Sequence, residues 1–440
     1  MRLTTASGRW PVGAVGRASR RRGPRGATLT SVKTPSRAPL PATDDRLRWR
    51  WYAVVAGLAV LLFTSLSAGA AAPVLGPIRT IAGLTTPAFL PDVALQGSTA
   101  VAVFEQAASG DVDSKLYRRY STDGGQTWST TGLLFDGAGR NADVAIVGDR
   151  VHVVFEARST VDPTQTLVAY TVSKDGGKTF SPAVQAGTSG DWETRRFGPG
   201  PRVGGYGTRF WIAQVDDKRD FFLLRGDADK FILPPTEIEV DPLVRTGPFA
   251  LASDGLNIYA LAQVDNFGAS ILLYKSTDGG KTFAPSRELA PVRTFPYGGL
   301  SLAAYGRRVA VSWQPPRSTT LQVRVSGDRG ATFGKPFLFK GGGRGGVALG
   351  ASLKRIELLR TQEVPAGQQG GSREQLLLSV LPKGGVKFDR PVVVRLARRI
   401  GFPVTGPPVI AADTTRSLYA WFELNGRTSR VLVRDGQYPE

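Results

Sequence analysis

The feature that most constrains this 440-residue chain is a short phrase returning at an even interval. Ser121-Thr122-Asp123-Gly124-Gly125-Gln126-Thr127-Trp128 recurs as Ser173-Lys174-Asp175-Gly176-Gly177-Lys178-Thr179-Phe180 and as Ser276-Thr277-Asp278-Gly279-Gly280-Lys281-Thr282-Phe283. Ser326-Gly327-Asp328-Arg329-Gly330-Ala331-Thr332-Phe333 is a weaker copy. The Asp-to-Asp gaps are 52, 103 and 50, and the double gap holds a degraded copy, Arg225-Gly226-Asp227-Ala228-Asp229-Lys230-Phe231. Lys383-Gly384-Gly385-Val386-Lys387-Phe388 and Arg434-Asp435-Gly436 extend the series to seven, from 123 to 435, with a mean spacing of 52. Self-similarity of this kind signals one supersecondary unit stacked on copies of itself.

Each unit reads as four short strands. Two precede the phrase, as in Val93-Ala94-Leu95 with Ala100 to Phe104, and Val144-Ala145-Ile146 with Val151 to Phe155. A third runs into it (Leu116 to Tyr120, Leu272 to Lys275) and a fourth leaves it (Leu133-Leu134-Phe135). Gly 53 and Pro 30 supply the turns such a chain needs. Four antiparallel strands repeated seven times predict an all-β, seven-bladed propeller. The last unit stops at Glu440, short of a fourth strand, while Pro77 to Ala82 has no partner ahead of the first unit. That segment is expected to become the outer strand of the last blade, so that the N-terminal strand closes the ring and no long edge stays open.

The phrase resembles the Asp-box, or BNR repeat, of sialidases and related propellers, over about residues 75–440. Its chemistry is that of a turn. The Asp carboxylate can accept from turn N–H groups, the Gly pair allows positive φ, and the aromatic fills the gap beside neighbouring strands. Asp123, Asp175, Asp278 and Asp328 are therefore expected to be structural.

The leader differs from the rest. Residues 1–50 carry twelve basic and two acidic side chains, half of the net charge of +20. They show no apolar period and read as disordered. Trp51 to Ile78 carries no charge, with an apolar run to Leu66 and then Ser67-Ala68-Gly69-Ala70-Ala71-Ala72-Pro73. A basic flank, an apolar run and an A-x-A site make an export signal, and positive charge stays on the cytoplasmic side. A cleaved signal peptide fits the Ala-rich end; an uncleaved anchor fits the long basic leader. The expected organisation is a basic leader over 1–50, a signal peptide or membrane anchor over 51–72, and an extracytoplasmic propeller over 73–440, secreted or anchored. Membrane contact is expected only through 51–72. Topology accounts for the leader's charge, so no nucleic-acid partner is expected. No cysteine is present and His152 is the single histidine. These exclude disulfides and a multi-His centre, and no metal or cofactor is expected.

Candidate site residues lie on the rim opposite the phrase, where strands two and three join and blades connect. An acid or amide ends every second strand: Glu105, Glu156, Gln214, Gln263, Gln314, Gln362 and Glu423. The inter-blade links carry Arg140, Arg195, Arg196, Arg245, Arg293, Arg344, Arg398 and Arg399. Repeated acids read as ties between blades, and the arginines read either as their partners or as an anion-binding mouth. The resemblance implies a sialidase constellation of arginines, a Tyr–Glu nucleophile and an acid/base Asp. Here that leaves Tyr297 and Glu193 with Asp191 in long links. Two departures stand against it: Ile78-Arg79-Thr80-Ile81 replaces the family's Arg-Ile-Pro, and seven units replace six blades. Three functions follow. One is a binding module for an acidic glycan, the cell wall or a cell-surface or protein partner; the second is a sialidase-like glycoside hydrolase; the third is an enzyme of another class on the same scaffold, such as a lyase.

Overall fold

A computed structural model describes residues 72–83, 86–107, 113–192, 200–239, 245–265, 269–291, 300–315, 318–364, 373–397, 400, 406–425 and 428–439. The side chains of 245, 265, 269, 342–345 and 425 are outside that description. The residues form a seven-bladed propeller of four-stranded antiparallel sheets. The first blade is Ala88–Gln96, Thr99–Gln106, Lys115–Ser121 and Gly132–Phe135, in that order from axis to periphery. Five more follow over 139–191, 202–239, 245–291, 301–339 and 342–397.

Strand position explains strand composition. A second strand is covered on both faces by its own and the neighbouring blade, so it reads as a continuous apolar run. Thr99–Gln106 and Arg150–Arg158 are buried along nearly their whole length. Outer strands such as Gly132–Phe135 and Phe337–Phe339 stay half-exposed. The core is divided in the same way, with seven apolar clusters and one at each junction between blades. Trp211, Phe221 and Leu223 of the third blade pack against Ile258, Ala260 and Tyr274 of the fourth, for example.

Closure follows the expected route. The last blade consists of Val409–Ala412, Arg416–Asn425 and Thr428–Gln437, and its outer strand comes from the other end of the chain. Val74–Leu75 pairs with Gln437 and Gly436, and Arg79–Ala82 pairs with Val433 to Val431. The outer strand thus begins earlier than Pro77 and is broken in two at Gly76. Arg79 bonds Asp435 at 2.7 Å, and Arg434 Nε donates to the Gly76 carbonyl at 2.7 Å. Ile81 enters a cluster with Phe104 of the first blade and Leu418 and Phe422 of the last.

Two degraded copies fold differently from the intact phrase. In the third blade Asp227 pairs with Lys230 across a two-residue turn in which Ala228 takes φ 58°. The Ser, Gly pair and Thr that would build a box are missing, and a tight hairpin takes their place. In the seventh, Asp435 lies inside the last strand, buried, as the partner of Arg79. Among the described residues no helix is long and apolar enough to cross a membrane; residues 51–71 lie outside them.

Candidate functional site

The four intact boxes lie on one rim, beside the turns between first and second strands. Gly124 N–H donates to Ser98 O, and Gly279 N–H to Leu256 O. Within the first box, Asp123 Oδ1 accepts from Ser121 Oγ at 2.7 Å and from the N–H groups of Gln126 and Thr127 at 2.9 Å, while Oδ2 accepts from Thr127 Oγ1 at 2.6 Å. Ser121 Oγ in turn accepts from Gly125 N–H. The second, fourth and fifth boxes repeat the Ser–Asp–Thr bonds around Asp175, Asp278 and Asp328. Both glycines of the first box have positive φ, 74° and 89°. Partial desolvation acts to raise the Asp278 carboxyl, but the Ser276 and Thr282 bonds outweigh it and bring it down to about 2.

The opposite rim carries the strand-end acids, and in blades one, two and seven each is engaged internally. Glu105 accepts from Asn141 N–H at 2.7 Å, across the blade junction, and from Ser114 Oγ at 2.9 Å. Glu156 accepts from Arg140 Nε and Asn141 Nδ2 at 2.9 Å and from Ser189 Oγ at 3.3 Å. Glu423 accepts from Arg395 Nε at 2.5 Å, Arg430 Nη2 at 3.0 Å and Trp421 Nε1 at 3.2 Å. Burial raises the Glu105 carboxyl to about 7, against its hydrogen bonds. For Glu423 the Arg395, Trp421 and Arg430 bonds overcome desolvation and hold it below the ordinary range. Among the amides, Gln314 donates to Ser318 O at 2.6 Å, whereas neither amide atom of the enclosed Gln263 has a partner.

Arg140 is enclosed rather than presented to solvent. Its guanidinium bonds Glu156 and lies 3.9 Å from the ring centroid of Trp192, a cation–π contact. Its Nη2 has no acceptor in the protein. Trp192 Nε1 donates to Asp113 at 3.1 Å, and Asp113 is bonded by Arg158 at 2.9 Å, which ties the links of the first two blades together.

A cavity of about 200 Å³ on the propeller axis is lined by first strands of every blade. Its polar wall is Asp92, Asn141, Asp143, Arg202 and Ser301. Bulges in the first strands of blades one and two place Asp92, Asn141 and Asp143, with Leu90 at φ 49° and Asn141 at φ 53°. Asp92 Oδ2 accepts from Val144 N–H, and Asp143 Oδ2 from Val203 N–H, both at 2.7 Å, so each carboxylate reaches the next blade. Arg202 Nη1 stands 3.5 Å from Asp143 and is about one-third exposed. Burial, then the neighbouring Asp143 charge, raises the Asp92 carboxyl; burial likewise raises Asp143, against Arg202.

Of the residues expected to act in catalysis, Asp191 ends the outer strand of the second blade, exposed and opposite Gln165. Glu193 and Tyr297 lie outside the described residues, as do Arg195, Arg196, Arg293 and Arg398. Arg245 and Arg344 are placed by backbone alone, at the start of Arg245–Asp254 and within Gly342–Ala351. Asp92 and Asp143 were legible but passed over. They open Asp92-Val93-Ala94 and Asp143-Val144-Ala145, the same phrase 51 residues apart. His152 is buried between blades two and three, its Nδ1 2.8 Å from Tyr170 OH.

Comparison with known proteins gives a short family match and several distant solved structures. The BNR/Asp-box repeat family matches residues 119–130. No curated protein matches the sequence. Among solved structures, the phage phi92 endosialidase is similar at 8% identity and a TM-score of 0.49, over 83% of this chain and 69% of that one. Trypanosoma rangeli sialidase, in complex with 2,3-difluorosialic acid, gives 13%, 0.44, 83% and 57%. The Aleuria aurantia lectin, in complex with α-methyl-L-fucoside, gives 13%, 0.42, 66% and 93%. The chain carries an Asp-box repeat on a seven-bladed propeller, a fold that does not by itself assign an activity.

Proposed function

We propose that this chain is an exported binding propeller that takes an acidic glycan at the rim opposite the boxes. The observation that carries this reading is the engagement of the strand-end acids. Glu105, Glu156 and Glu423 are each held by two or three internal donors, many of them from another strand or blade. A general acid or base must reach its substrate's proton, and these carboxylates are turned into the protein. Arg202, partly exposed on the axial cavity, provides a guanidinium for an anion. Export rests on the basic leader and the apolar run at 51–66.

A glycan array probed with the chain tests the reading directly. Retention of sialylated or uronate-containing glycans over neutral ones, weakened in Arg202→Ala, is expected. Turnover of a fluorogenic sialoside that disappears in Tyr297→Phe would replace it with the hydrolase reading.

A further inference from the structure

The box rim has a second property that the boxes do not explain. The tips joining first and second strands expose large apolar side chains in four consecutive blades. Tyr206 is 60% exposed, Leu256 and Tyr305 are each 40% exposed, and Leu353 is 47% exposed. Val386, in the degraded box of the sixth blade, is 86% exposed. Single exposed apolar residues need no explanation, but a series on one rim does.

The same tips are basic. Arg209, Arg307, Arg329, Lys354 and Lys383 are exposed there. The box carboxylates beside them, Asp278 and Asp328, are turned into their own turns by Ser and Thr hydroxyls. Asp227, Asp229 and Asp254 are other acids of these tips, and Asp229 is paired with Lys174 at 2.6 Å. Aromatic and Leu side chains interleaved with Arg and Lys suit the headgroup layer of a bilayer, where rings sit at the interface and cations meet phosphates.

The path of the chain points to the same rim. Tyr438 N–H donates to Thr415 O, which puts the end of the last strand beside a first–second turn, on the box side. Val74 pairs with Gln437 at that end, so the chain joins the propeller from the box rim. The uncharged apolar run ends at Leu66, eight residues earlier. Eight extended residues reach at most about 28 Å. With that run in a bilayer, the tether is short and starts from the rim that carries Tyr206, Tyr305 and Leu353.

We propose that the box rim of blades three to six docks on the headgroup layer of an anionic bilayer. The opposite rim then faces away from the lipid, open to large ligands. This goes beyond the binding reading and adds a membrane contact to the one expected through residues 51–72.

Hydrogen exchange on the full chain, in phosphatidylcholine vesicles and in mixed phosphatidylcholine–phosphatidylglycerol vesicles, tests it. Tips at 206–209, 305–308 and 353–355 are expected to exchange about tenfold more slowly in the anionic vesicles, while the link at 160–165 is unchanged. Two variants with exposed substitutions, Tyr206→Ser with Tyr305→Ser and Leu353→Ser, and separately Arg307→Glu with Lys354→Glu, are expected to keep the melting temperature and lose the protection. Tips that exchange at the same rate in both kinds of vesicle, that stay protected in both variants, or that are protected without lipid by contact between copies would overturn the proposal. Unprotected tips with glycan retention intact would sink the docking alone; protected tips with a silent glycan array would sink only the binding reading.

Discussion

Arg140 shows how little a residue's type reveals about its use. In the sequence it is one of several arginines in inter-blade links; in the structure it is enclosed between Glu156 and Trp192. Arg140→Ala leaves the Glu156 carboxylate buried without its cation, which costs about 3–5 kcal/mol, and a fall in urea midpoint at pH 7 would register it. Asp278→Ala removes charge-assisted bonds at an exposed turn and is expected to cost about 1–3 kcal/mol, with glycan retention unchanged on the array. Acid titration separates two buried groups. His152 is pushed down to about 4, by burial first and then by Arg150. The unfolded chain therefore takes up its proton first, and the stability tied to His152 is lost as pH falls from about 6.5 toward 4. Glu105, raised to about 7, works in the opposite sense, because its contribution is full below the unfolded value and fades as pH rises through 7. Denaturation midpoints measured from pH 4.5 to 7 should rise more steeply with pH in Glu105→Gln than in the parent, and less steeply in His152→Phe. Parallel slopes in all three proteins would refute both assignments.

At the scale of elements, the local period was readable because a second strand buried on both faces must be apolar throughout. Val151 to Phe155 and Ala100 to Phe104 announced themselves for that reason. The boxes were readable because a turn with two positive-φ glycines and a capping carboxylate tolerates few sequences. The degraded copies were readable only as spacing: Asp227 heads a tight hairpin and Asp435 a salt bridge, outcomes set by partners far away in sequence. The axial carboxylates were legible as a repeated Asp-Val-Ala but not as a pair, because the bulges at Leu90 and Asn141 that aim them depend on packing around the axis. The closing strand yields its own prediction. A chain beginning at Gly83 leaves Thr428–Gln437 with a bare edge and removes Ile81 from its cluster. Its melting temperature is expected to fall by roughly 5–10 °C, with aggregation through the open edge. An unchanged melting curve would mean that closure adds little.

For the whole molecule, seven like blades make a ring whose two rims do different work. The box rim is stitched by short-range bonds, and the opposite rim ties blade to blade through buried acids such as Glu105 with Asn141, Asp143 with Val203 and Glu423 with Arg395. The number of blades and the closure were legible from spacing alone, because a ring must reuse one unit and must seal its ends. The ligand was not, because the inter-blade links belong to no repeat and spacing alone does not say which of them meet. The most direct measurement incubates the full chain with an acidic oligosaccharide, recovers the bound fraction and weighs it by mass spectrometry. The account predicts saturable binding and an oligosaccharide of unchanged mass; a shortened oligosaccharide, or no retention at any concentration, would contradict it.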